Sequence, residues 1–123
     1  MAVTYTTAVK NARLTAVVTQ IGATGVLEIG TTGMATILAT IALNSTAGTA
    51  ASGVLTFSGF PKSDTSADNT GTAAAARIRT ASGGTDIVTG LTVGTSASDI
   101  NLDSVSITAG QTVTITSATI THA

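Results

Sequence analysis

Residues 72–93, TAAAARIRTASGGTDIVTGLTV, decide the fold. From Thr72 to Thr80 the side chains alternate, with Ala74, Ala76 and Ile78 on one side of an extended chain and Arg77 and Arg79 on the other. That period of two belongs to a half-buried β-strand. Ser82-Gly83-Gly84-Thr85 follows as a turn, since glycine accepts the positive φ that a tight hairpin needs. The chain then returns over Asp86 to Val93, where Ile87, Leu91 and Val93 face together. A hairpin with one apolar face cannot stand alone, so other strands must cover it.

Those strands are legible on both sides. Val26 to Gly30 reads as a strand, and so does Thr36 to Leu43, with Ile37, Ala39, Ile41 and Leu43 inward and Thr36 and Thr40 outward. Val54 to Ser58 contributes Leu55 and Phe57 to one face, and Pro61 to Gly71 reads as the longest loop and the most mobile part. Val105 and Ile107 lead through Ala109-Gly110 into Gln111 to Thr121. In that last run Val113 and Ile115 share a face while Ala118 and Ile120 have the opposite phase. Either a bulge near Ser117 restores the core face or the strand crosses between sheets.

Only the N-terminal segment has another period. Leu14, Val17, Val18 and Ile21 are spaced i, i+3, i+4 and i+7, which predicts a helix over about residues 7–21. Thr6 or Thr7 caps its start, Gly22 and Gly25 stop it, and Lys10 and Arg13 lie off the apolar stripe. The fold class expected is mostly β: a β-sandwich or jelly-roll-like body over about 26–121 with one N-terminal α-helix, in a single domain spanning 1–123.

Composition narrows the function. Only 9% of the 123 residues are charged, against roughly 25% in an average soluble domain, and the net charge is -1. Threonine, serine, alanine and glycine must therefore form most of the surface, and little repulsion separates one copy from another. Cysteine is absent, which removes disulfides, thiolate metal sites and thiol nucleophiles. Mean hydropathy is +0.48, yet the longest apolar run, Gly33 to Leu43, is broken by Thr36 and Thr40 and falls short of the ~20 residues that span a bilayer. Met1 to Asn11 lacks the pattern of a secretory signal. The expectation is a protein made in a cytoplasm and placed in no membrane.

No residue pattern announces chemistry. The single histidine, His122, is one residue from the end of the sequence, and Glu28 is the only glutamate, without a second carboxylate for acid–base work. Asp99-Ile100-Asn101-Leu102-Asp103 begins like a calcium loop, but Ser104 and Gly110 stand where that loop needs glycine and glutamate. Asp64 and Asp68 are explained by turn formation. Nucleotide-binding glycine motifs are missing, and Tyr5, Phe57 and Phe60 are the whole aromatic stock, too few to stack on bases or sugars. The alternation Thr112-Val113-Thr114-Ile115-Thr116 resembles an ice-binding array but occurs once. Arg77 and Arg79 form the tightest basic cluster, suited to an acidic protein surface, to pairing with Asp86 or Asp99, or simply to water. The expectation is a non-enzyme with no catalytic residue, no cofactor and no metal.

Several segments carry a resemblance: Lys10-Asn11-Ala12-Arg13, Ala50-Ala51-Ser52-Gly53-Val54-Leu55, Gly71-Thr72-Ala73, Asp99-Ile100-Asn101-Leu102-Asp103, and Thr108-Ala109-Gly110-Gln111-Thr112-Val113-Thr114. In these the chain resembles the small virion structural proteins of tailed bacteriophages, most of all the capsid decoration, or cement, proteins. It departs from them at Ala73 to Ala76, where that family carries bulkier residues. The resemblance implies a compact β protein on the outer capsid surface of the virion, bridging major capsid proteins and contacting copies of itself, with no small-molecule substrate and no nucleic acid or membrane partner. Arg77, Arg79, Lys10 and Arg13 are the candidate protein-contact residues. A neck, tail or baseplate component is the nearest alternative. A secreted adhesin or binding module is the next, for which Asn44-Ser45-Thr46 offers a glycosylation triplet.

Overall fold

A computed structural model describes residues 4–81 and 83–121, so His122 and the turn residue Ser82 lie outside the described residues. The elements are α1 (Thr7–Ile21), β1 (Val26–Gly30), a short 3₁₀ turn at Thr32–Met34, β2 (Ile37–Ala42), β3 (Gly48–Ala51), β4 (Val54–Phe57), β5 (Lys62–Asp64), β6 (Gly71–Thr72), β7 (Ala75–Arg79), β8 (Asp86–Gly94), β9 (Ile100–Leu102), β10 (Ser106–Ile107) and β11 (Val113–Thr121). The protein is mostly β, with a single N-terminal helix and a curled sheet.

The main sheet has nine strands in the order β2-β1-β7-β8-β9-β11-β4-β3, with β5 attached to β11 off this path, while β6 and β10 form a separate pair. Every pairing in it is antiparallel except β8 with β9, where Val93 lies beside Ile100. The sheet curls because its last strand has three neighbours. β11 pairs with β5 through Val113, Thr114 and Ile115, with β9 through Ile115 to Ala118, and with β4 through Thr119, Ile120 and Thr121.

The register of β11 shifts against β9 between Ile115 and Ser117. This bulge returns Ala118 to the core with Val113 and Ile115, all three buried, and the strand exchanges β5 for β4 at the same place. Of the two resolutions read in the sequence the bulge is the one that operates, and β11 changes neighbours within the one main sheet.

α1 has the expected bounds. Thr6 caps it, its hydroxyl accepting from the Val9 amide at 3.3 Å, and Gly22 ends it with φ 75°. Leu14 and Ile21 are buried and Val17 and Val18 pack on the core, while the helix lies against β3 and β4 and touches β8. Apart from buried Phe57 the remaining core is aliphatic, built on Leu27, Ile29, Leu38, Leu55, Ile78, Ile100, Leu102 and Ile107 with buried alanines between them.

Four sequence expectations need correction. Pro61 to Gly71 is not a plain loop: it contains β5, and beyond it the chain is bonded to β2, with the Asp64 carboxylate accepting from the Thr40 amide at 3.0 Å, the Asp68 amide donating to the Leu38 carbonyl at 2.8 Å and the Asn69 side chain donating to the Ile37 carbonyl at 2.8 Å. The stretch from Thr72 to Thr80 is broken at Ala73-Ala74, which inverts the phase, so that Ala73 is buried and Ala74 exposed. In β8 Ile87, Leu91 and Val93 pack on the core as read, but the register shifts twice against β7 and brings Val88, opposite Ile78, to the core as well, while Gly90 sits at φ 74° between Val88 and Leu91. Finally, β3 was not anticipated, because Gly48-Thr49-Ala50-Ala51 has little β character of its own. It is held by a two-residue turn, Ser52 at φ 52° and Gly53 at φ 75°, whose left-handed pair folds it back on β4.

Candidate interaction surface

The four candidate contact residues occupy two different surfaces. Arg77 and Arg79 project from the outer face of β7 beside β1, where Glu28 stands directly opposite Arg77. Glu28 is the one buried charged residue described, at 5% exposure. The Arg77 Nε donates to Glu28 Oε1 at 2.6 Å, and Arg79 Nη1 lies 3.7 Å from the same oxygen. Arg79 also places its Nε 2.9 Å from Asp86 Oδ1, its cross-strand neighbour, as an ion pair without hydrogen-bond alignment. Two guanidinium groups and two carboxylates thus neutralise one another on the sheet. Of the two acids considered from the sequence, Asp86 is the partner. Asp99 is not: its carboxylate accepts from the Thr92 amide at 3.0 Å while the Thr92 hydroxyl accepts from the Asp99 amide at 2.9 Å.

The segment Asp99 to Asp103 shows what its oxygens do. Ile100 and Leu102 point into the core from β9, and Asn101 accepts from the Ser98 amide and donates to the Ser117 hydroxyl. Asp103 accepts from the Thr114 amide at 3.4 Å. These side chains close backbone ends at the β9–β11 seam, which is how short polar residues satisfy amides that a bulge leaves over. Among the described residues no three His, Cys, Asp or Glu side chains converge as a metal site would require, and no pocket is formed.

Lys10 and Arg13 are placed differently. Both are on α1, and among the described residues neither has a carboxylate partner. The stem of Lys10 runs past Gly53 in the β3–β4 turn, whose amide is held at 2.9 Å by the side chain of Asn11. Arg13 lies over the Tyr5 ring at 4.6 Å from its centre, so its charge is held at the surface of the helix. Around this cation the helix is apolar on its outer side as well as its inner one. Tyr5 and Val9 are each 41% exposed, and Ala8, Ala12 and Ala16 are exposed on the same side. An ordinary surface helix presents charge there.

No family, no curated protein and no solved structure matches this chain.

Sequence reasoning gave Arg77, Arg79, Lys10 and Arg13 equal standing and did not foresee that Glu28 divides them. The signal was the register: with Val26 to Gly30 and Ala75 to Arg79 as neighbours, Glu28 falls opposite Arg77. It also did not foresee Tyr5 and Val9, which precede the apolar stripe and lie on the far side of the helix. A second uncharged surface is a row across three strands, Thr49 opposite Thr56 and Thr56 opposite Thr119. In addition, no charged residue occurs between Glu28 and Lys62. Among the described residues no helix is long and apolar enough to cross a membrane.

Proposed function

We propose that this chain is a structural subunit of a tailed-phage virion, decorating and stabilising the outside of the capsid by bridging major capsid proteins. It is not an enzyme on this reading, and its chemistry is contact. The observation that supports it is the disposition of charge. Glu28, Arg77, Arg79 and Asp86 compensate one another, and Asp64, Asp99 and Asp103 accept from backbone amides. What is left outside is largely threonine, serine and alanine, which packs against another protein without the desolvation cost of burying free ions. Its mostly β body with one curled sheet suits a rigid spacer. Each copy buries a modest area, and many copies on one lattice resist internal pressure together.

Cosedimentation of the purified protein with expanded, DNA-free capsids tests this. Saturable binding, together with heat or chelator resistance that particles lacking the protein do not have, is the expected result. Protein that stays in the supernatant and leaves shell stability unchanged overturns the capsid assignment.

A further inference from the structure

We infer that the outer face of α1 is a docking surface for an acidic protein segment: apolar side chains bordered on one flank by carboxylates. The inference rests on reading the chain as a subunit of an assembly, and adds which face engages and what chemistry meets it. Three observations combine. The two most exposed large apolar side chains described are Tyr5, just before the cap of α1, and Val9 on the helix, which Ala12 and Ala16 continue at helical spacing. Small residues at those positions let a partner backbone approach closely. Along one flank stands exposed Arg13, held in place over Tyr5, with half-buried Lys10 three residues before it on the side of the β3–β4 turn. Neither cation is neutralised from within the described chain, although the other two arginines are.

Charge selects the occupant. A second copy of α1 does not fit, because the helix contains no acidic residue and pairing it with itself sets Arg13 and Lys10 against cations or nothing. The rest of a second copy is little better. Glu28 and Asp86 are held by Arg77 and Arg79, and Asp64, Asp99, Asp103 and Asp68, which keep their charge, sit at strand ends or in the loop after β5, where no exposed large apolar side chain is described beside them. A partner that brings its own carboxylates beside an apolar strip satisfies both halves of the face at once, and charge complementarity of this kind discriminates between partners more than it adds raw affinity.

The probe is a pair of synthetic amphipathic helices with the same leucine face, one flanked by glutamate and one by lysine, titrated into the whole protein while backbone amide shifts are followed. At low salt the glutamate helix should shift the amides of residues 5–16 and bind about tenfold or more tightly than the lysine helix. Arg13→Glu should invert that preference, and Ala12→Arg should abolish binding of both while circular dichroism stays native. Equal affinity for the two helices, shifts centred elsewhere, or an unaltered preference in Arg13→Glu overturns the inference. So does a concentration-dependent dimer that Ala12→Arg disperses, which would make a second copy the occupant, or capture by anionic lipid vesicles in place of peptide. The capsid assay separates this from the parent reading. Capsid binding unaffected by Arg13→Glu and Ala12→Arg sinks the docking face alone, whereas glutamate-helix selectivity without capsid binding sinks the virion assignment alone.

Discussion

The outer face of β7 and helix α1 carry two basic residues each, yet they do opposite things with them. On the sheet, Arg77 and Arg79 are one side chain away from Glu28 and Asp86, and all four charges are consumed by the fold. On the helix, exposed Arg13 lies over Tyr5 and half-buried Lys10 lays its stem past Gly53, and neither meets a carboxylate among the described residues. A cation's count in a sequence says little about its purpose. What decides it is whether the neighbouring strand or turn delivers the opposite charge.

This contrast can be broken at several places. The largest effect belongs to the buried side of the same helix: Leu14→Ala should cost about 3 kcal/mol in urea-induced unfolding, as removal of a fully enclosed leucine does. Helix and sheet would have to be energetically separate for that loss to stay below about 1 kcal/mol. Next comes Glu28→Ala, which leaves two partly buried guanidinium groups without their shared acceptor and should cost about 2 kcal/mol, less than a fully buried pair because both arginines retain some water. Adding Arg77→Leu to Glu28→Ala should recover part of that loss, and a double-mutant cycle with no coupling would show that the sheet charges are not a unit.

Asp64→Ala should cost about 1 kcal/mol by freeing the Thr40 and Ser66 amides, and hydrogen exchange at Thr40 should accelerate more than at Glu28 or Ile29 in the strand beside it. Smallest of all, Val9→Ser and Arg13→Ala should change stability by no more than about 0.5 kcal/mol, since both side chains leave the core untouched. A loss comparable to that of Leu14→Ala at either position would mean that the outer helix face is part of the fold rather than a surface.

How much of this was legible in the sequence follows the range of the interactions. Helix α1 and strand β1 were readable to the residue because each is set by its own period and stops, Thr6 and Gly22 for the one and flanking glycines for the other. β3 was not, although Ser52-Gly53 is a hairpin signal, because Gly48-Thr49-Ala50-Ala51 acquires its extended shape only from β4. The inward place of Val88 in β8 comes from two bulges that alternation cannot show, with Gly90 the single visible hint. The long polar stretch after Pro61 looked like a loop because its order comes from side chains reaching β2, a partner more than twenty positions earlier in the chain, as in Asp64 with Thr40. The candidate surface was half legible for the same reason: the residues could be named, but only the register of β1 on β7 separates the compensated cations from the free ones.

The seal that Asp64, Asp68 and Asn69 place along β2 has a consequence for how copies meet. The Thr40 amide and the Leu38 and Ile37 carbonyls on that margin are already occupied, so strand-by-strand stacking into fibrils finds a poor template there. At high local concentration, edge-to-edge growth is therefore disfavoured at that margin.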